Sequence, residues 1–309
     1  MSETDLLALL RRLPLHEGAR GLADDAAVLA TGDGALVLTH DVIVEGVHFL
    51  PDESPEGVAW RLLAVNLSDL AAKGATPVGV LLGMPLGEPG WDAAFVAGLG
   101  QALERFGCTL LGGDTVAQPA GSARSFGLTA IGSAGPDGVP DRRRARVGDA
   151  LYVTGTIGDA GLGLRAARGE IAGTPRLIAA YRRPQPLLAE GRALAPLVTA
   201  MMDVSDGLLI DAARLGAASG LGVGIDLDRV PISHDYRTIA GEDRAARLAA
   251  ATAGDDYQLL FAAPEDDDWP VEVTRIGHLF AGEGLVIEDR MGFVPLPDRL
   301  GWLHGRTTP

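Results

Sequence analysis

Short apolar runs that end in one or two small or polar residues and then an aspartate recur along this chain, and they narrow its possible folds more than any other feature. The instances are Leu36-Val-Leu-Thr-His-Asp41, Leu110-Leu-Gly-Gly-Asp114 and Met201-Met-Asp203-Val-Ser-Asp206. Apolar runs this short read as buried strands. Residues at the end of such strands project into the crevice beyond the sheet, where α/β proteins take their ligands. Asp24-Asp25 precedes a similar run, and Asp69 lies within Asn66-Leu-Ser-Asp69 on an expected helix.

Helical patterns fill much of the remaining chain. An amphipathic helix is expected over 2–13, capped by Ser2, with leucines at 6, 9, 10 and 13. Ser54-Pro55-Glu56 begins a longer helix that runs to Lys73 and stops at Gly74. Asp69 and Lys73 are four residues apart on it, the spacing of a local ion pair. Further helices are expected over 91–106, 160–168, 175–181, 186–194 and 206–219, and strands over 35–38, 109–111, 125–133, 150–153, 222–227, 257–263 and 271–276. The alternation lacks the strict cadence of a doubly wound sheet, so a mixed α/β (α+β) fold is expected. The 309 residues suffice for two domains. The basic, Pro- and Gly-containing segment 136–148 marks the boundary, giving domains over 1–140 and 141–309.

Charge excludes several functions. Asp and Glu number 41 against 26 Lys and Arg, a net of −15, which disfavours nucleic acid or an anionic membrane as partner. Lys73 is the single lysine, and it sits in Ala-Ala-Lys-Gly-Ala, so there is no Walker A loop and no kinase-type strand lysine. Any phosphate chemistry must rely on arginine, backbone amides and metal ions. The single cysteine, Cys108, excludes an intrachain disulfide and reads as a core residue. No apolar run is long enough to span a membrane, and the acidic Met-Ser-Glu-Thr-Asp start lacks the character of an export signal, so a cytoplasmic location is expected.

A lone aspartate after a strand is commonly a turn or cap residue. Many such positions in one crevice would repel one another unless cations neutralised them, and hard divalent ions with a phosphate ligand do this naturally. Two other features carry paired readings. Thr154-Gly-Thr-Ile-Gly-Asp-Ala-Gly161 is either a backbone cradle for phosphate or a glycine turn for close packing. Arg142-Arg-Arg-Ala-Arg146 is either a solvated loop or a phosphate clamp. His40 and His48 flank Asp41, and no Ser/His/Asp or Cys/His constellation is evident.

In order, Asp24-Asp25-Ala-Ala, Thr39-His-Asp41, Val44-Glu-Gly-Val-His48-Phe, Ala64-Val-Asn-Leu-Ser-Asp69-Leu-Ala-Ala, Gly112-Gly-Asp114-Thr, Tyr152-Val-Thr-Gly-Thr, Asp203-Val-Ser-Asp206-Gly-Leu and Gly254-Asp-Asp-Tyr-Gln-Leu-Leu-Phe261 resemble the thiamine-monophosphate kinase family. That family belongs to the superfamily of aminoimidazole ribonucleotide synthetase, which is the nearest enzymatic alternative. A non-catalytic sensor of divalent cations or nucleotide is the alternative from another class. The resemblance extends from about residue 17 to Trp302.

The resemblance implies ATP-dependent phosphorylation of thiamine monophosphate by direct transfer, with ATP as co-substrate and several Mg²⁺. It also implies a homodimer in which the N-terminal sheets join. Metal ligands would fall on Asp25, Thr39, Asp41, Asp69, Asp114, Asp203 and Asp206. Nucleotide contacts would fall on Gly113, Asp114, Arg142 and Ser205, and substrate contacts on His48, Asp255 and Trp302. No side chain is expected to act as a catalytic base. The chain departs from the family at Ala253-Gly-Asp255-Asp-Tyr-Gln258, where Gly-Gly-Glu-Asp-Tyr-Glu is usual, so the substrate-side carboxylate is one methylene shorter.

Overall fold

The computed structural model describes residues 3–32, 34–119, 121–266 and 268–303. The N-terminal half contains α1 (Glu3–Leu10), β1 (Ala27–Thr31), β2 (Gly34–Val44), α2 (Pro55–Ala72), β3 (Thr76–Leu86), α3 (Pro89–Phe106), β4 (Leu110–Ala117) and β5 (Ser125–Ser133). Its sheet has the order β1-β2-β5-β3-β4, with β3 and β4 parallel and the other pairs antiparallel.

The C-terminal half contains β6 (Ala150–Thr154), α4 (Asp159–Ala167), α5 (Pro175–Arg182), α6 (Leu188–Leu194), β7 (Ala200–Asp203), α7 (Leu208–Ala218) and β8 (Gly222–Asp226). It continues through α8 (His234–Ala240), α9 (Arg244–Ala251), β9 (Leu259–Ala263), β10 (Val273–Phe280), β11 (Leu285–Asp289) and β12 (Gly292–Val294). Its seven strands have the order β12-β11-β8-β10-β6-β9-β7, antiparallel except for β11 beside β8. Both sheets are therefore mixed, as the irregular cadence of the sequence implies. Among the described residues no helix is long and apolar enough to cross a membrane.

Helix α2 joins the halves. Ser54 accepts a 3.1 Å bond from the Gly57 amide, and Pro55 occupies the first turn. The helix is buried nearly all round, as suits an element packed on every side. One side packs on β2 and β5, and the other reaches α6 and β7. Ala71 and Ala72 belong to a buried cluster with Tyr152, Met201 and Phe261 of the second sheet. The approach of α6 requires glycine, since a Cβ on Gly191 would lie 2.0 Å from the Ala71 carbonyl oxygen.

Three expectations need correction. The strand expected over 35–38 continues to Val44, so Asp41 lies within β2 rather than after it. Likewise β4 continues to Ala117, and Asp114 is interior to that strand. Polar residues are tolerated there because β2 is half-buried and alternates in exposure, while β4 is an edge strand. The first helix is shorter than expected, and Leu9, Leu10 and Leu13 are exposed. Ser2, its expected cap, lies outside the described residues.

Candidate active site

Carboxylates from three elements converge at α2. Asp25 precedes β1, Asp69 lies in the last turns of α2, and Asp203 ends β7, and oxygens of all three lie within 4.8 Å of one another. Burial raises the pKa of Asp69 well above the usual carboxylate range, and the charges of Asp41 and Asp203 raise it further. Asp203 is pushed up to about 7 by burial, although a 2.6 Å hydrogen bond from Ser68 pulls the other way. Thr39 donates to Asp69 and, at 3.3 Å, to the Asp25 carbonyl oxygen. The Asp41 amide donates to Asn66 Oδ1 at 3.0 Å, fixing β2 against α2.

Cations gather on one side of this cluster. Lys73 is fully buried, and its Nζ lies 2.6 Å from Asp24 Oδ1 and 2.7 Å from Asp25 Oδ2. It also donates to the Met201 carbonyl at 2.9 Å. The helical pair expected with Asp69 does not form, because Lys73 is the C-cap and turns toward the loop before β1. Arg142 pairs with Asp25 and lies 3.7 Å from Asp24, and Arg20 reaches Asp24 Oδ2 at 2.5 Å. Of the 142–146 arginines only Arg142 turns into the site. Arg143 instead holds Asp141, whose pKa falls to about 2.

The turn after β7 forms the opposite wall. The amides of Ser205, Asp206 and Gly207 all donate to Asp211 Oδ2, at 3.1, 3.0 and 3.2 Å. Asp211 is raised to about 6 by burial and by Asp206. Arg214 bridges Asp206 and, at 3.0 Å, Asp211.

Asp69, Asp203, Ser205 and Asp206 of this assembly open on a cleft of about 420 Å³ that Asp41, His48, Asp255 and Trp302 also line, with Arg61 and Arg168 as cations. His48 Nδ1 accepts from the Val44 amide at 3.0 Å, so the neutral ring carries its proton on Nε2. Trp302 is half-exposed, with its amide bonded to the Asp206 carbonyl at 2.8 Å. Asp255 has a left-handed backbone (φ 61) and accepts from the Tyr257 hydroxyl at 3.1 Å. Its Oδ2 lies 3.5 Å from buried Arg61, which also sits 4.2 Å above the Tyr181 ring.

Gly113 and Asp114 stand apart from this assembly. Gly113 shares a cross-strand row with Leu82, Leu128 and Asp41, three strand spacings or about 14 Å from β2. Asp114 takes the next row, with Gly83, Gly127 and exposed Val42, and so lies on the sheet face away from α2. The glycine at 113 answers a local need, since a Cβ there would lie 2.0 Å from the Leu82 carbonyl. The turn before α4 is no phosphate cradle either, since Asp256 already accepts from the Gly158 amide with both oxygens at 2.9 Å.

Sequence reading missed the structural roles of Asp24, Arg61, Ser68, Lys73, Asp211 and Asp256. The single-lysine composition was the one available signal for Lys73. Arg61 and Ser68 sit among apolar residues of a helix buried all round, where a polar side chain must find a partner.

The sequence matches AIR synthase related protein, N-terminal domain, over residues 23–134, and the C-terminal domain of the same family over 146–290. It is 40% identical to a thiamine-monophosphate kinase of Caulobacter vibrioides, over 98% of this chain and 91% of that protein. Identity to the thiamine-monophosphate kinase of Escherichia coli K12 is 36%, over 84% and 80%. The structure described as AaThiL complexed with AMPPCP and TMP superposes with a TM-score of 0.88 at 30% identity, covering 98% of this chain and 97% of that one. The hydrogenase maturation protein HypE in complex with ATP, at 21% identity and a TM-score of 0.69, shares the fold.

Proposed function

The chain belongs to the thiamine-monophosphate kinase family of AIR synthase related proteins, and from that premise we propose how its cleft transfers the γ-phosphoryl group of ATP to thiamine monophosphate. The convergence of Asp25, Asp69 and Asp203 carries this reading. Three buried carboxylates forced together hold protons or cations, and an all-oxygen donor set of this span suits Mg²⁺. Asp25, Thr39, Asp41, Asp69, Asp203 and Asp206 would hold several ions. Bound magnesium supplies charge neutralisation and in-line alignment, the main requirements of phosphoryl transfer.

The chain's own groups do the rest. Arg142 and the Ser205 turn border the carboxylates where the nucleotide phosphates would lie. His48, Asp255 and Trp302 line the cleft and would meet the second substrate, with Trp302 stacking on a cationic ring. The acceptor is a phosphate oxygen whose second pKa is about 6, so no catalytic base is needed. Gly113 and Asp114 would act on the nucleotide and its metal only from the outer sheet face.

That outer face supports a homodimer. Val42, Leu81 and Val116 are apolar, 45%, 41% and 55% exposed, and on strands of one sheet. We take 1–140 as the nucleotide-, metal- and dimer-forming domain and 141–309 as the domain completing both sites. The net charge of −15 supports neither nucleic acid nor membrane as partner. Dependence on ATP and a single buried thiol fit a cytoplasmic enzyme.

The test is ADP release from ATP and Mg²⁺ on adding thiamine monophosphate, with free thiamine as control acceptor. Turnover with the monophosphate alone supports the reading. Nucleotide binding without acceptor-stimulated turnover, or equal turnover with free thiamine, overturns it.

A further inference from the structure

Lys73 is the chain's single lysine, and it is fully buried at the edge of the acidic cluster. A lysine has a compact charge on a flexible stem and is seldom buried without a specific partner. Here the stem runs inside the protein and the ammonium lies 2.6 Å from Asp24 and 2.7 Å from Asp25. Asp25 is also one of the three carboxylates whose oxygens converge. The ammonium therefore lies against one of the carboxylates that a metal ion would share.

Among the described residues, Asp25, Asp69 and Asp203 form one group of carboxylates close enough to share a cation, and the Lys73 ammonium already lies at one of its members.

We infer that Lys73 is a resident counter-cation that takes one cation position of the cluster, so that the nucleotide-free protein binds a single divalent ion there and further ions arrive with phosphate. This rests on the reading of the cluster as a magnesium site. It makes Lys73 a positioning residue, since it touches Asp25 and not the substrates.

The experiment counts Mn²⁺, an oxygen-seeking stand-in for Mg²⁺, by the electron paramagnetic resonance of the free ion, without nucleotide. The wild-type chain should bind about one tight Mn²⁺, the ion that the three converging carboxylates would share. Lys73→Met, of similar length but uncharged, should bind about one more, and its Tm should rise more on adding Mn²⁺ than that of the wild type. Lys73→Arg should keep the wild-type count.

Equal counts in wild type and Lys73→Met overturn the inference. So does loss of Mn²⁺ binding in Lys73→Met, which would make the lysine a mere scaffold. Two or more tight ions on the nucleotide-free wild type also overturn it, a result that does not depend on the variant folding. If the wild type binds no Mn²⁺, the magnesium-site reading itself fails, and the inference with it.

Discussion

Ser68 donates a 2.6 Å hydrogen bond to Asp203, joining a helix of the N-terminal half to the last residue of a strand in the C-terminal half. Both side chains are buried. The bond orients one of the three converging carboxylates and couples assembly of the cluster to docking of the two halves.

Replacing Ser68 with alanine should therefore act on stability and on the site together. A buried acceptor left without its donor costs about 1–3 kcal/mol. Urea unfolding should show that loss, and the Mg²⁺ concentration for half-maximal turnover should rise severalfold. Unchanged Mg²⁺ dependence in a folded variant would restrict Ser68 to structure.

The raised carboxylates set a pH dependence. Asp203 titrates near 7 and Asp211 near 6 in the folded chain, against 3.8 as the ordinary value. Between those limits the folded state holds protons that the unfolded state has released, so stability is greatest below about 4 for these groups and falls as pH rises from about 4, levelling off above 6 to 7. Calorimetry of metal-free protein should show Tm falling over that range from their contribution. Saturating Mg²⁺ should shrink the fall, because the cation replaces the proton on Asp203.

Asp206→Asn separates chemistry from folding. The pair Asp206 forms with Arg214 is partly exposed on both sides and contributes about 0–1 kcal/mol. Its backbone bonds to Asp211 and Trp302 do not depend on the side chain. Turnover should drop by about 100-fold or more if the carboxylate holds a metal, equivalent to about 3 kcal/mol of barrier. Equal losses of stability and turnover would count against the role.

Arg61 and Asp255 should split differently. Arg61→Met removes a buried guanidinium that holds Asp255 and the Tyr181 carbonyl, and should cost about 3 kcal/mol by chemical denaturation. Asp255→Asn, at a more exposed carboxylate but one that pairs with buried Arg61, should cost less stability than Arg61→Met while raising KM for thiamine monophosphate more than KM for ATP. A selective rise for ATP would move Asp255 to the nucleotide side.

The outer sheet face can be tested through size. Val42→Asp places a charge on a row with Gly127, Gly83 and Asp114, away from the core. Light scattering should show a dimer for the wild type and a smaller species for the variant, with secondary structure retained. A monomeric wild type would remove the proposed dimer.

The main elements were legible because their signals are local. The Ser54-Pro55 start of α2 and the apolar alternation of β5 depend on neighbouring residues, and the observed bounds differ by few positions. The ends of β2 and β4 were misjudged because pairing with adjacent strands, rather than apolar character, carries those strands through Asp41 and Asp114.

By itself the sequence determined the family, the two mixed sheets and the identity of the acidic residues, since motif order and short-range patterning are properties of the chain. Only the tertiary structure decided that Asp25, Asp69 and Asp203 meet, that Lys73 turns from its helical neighbour to Asp24 and Asp25, and that Asp114 faces away. Those outcomes depend on contacts between residues tens to more than a hundred positions apart. The side-chain type allows such contacts, but strand register and helix docking select them.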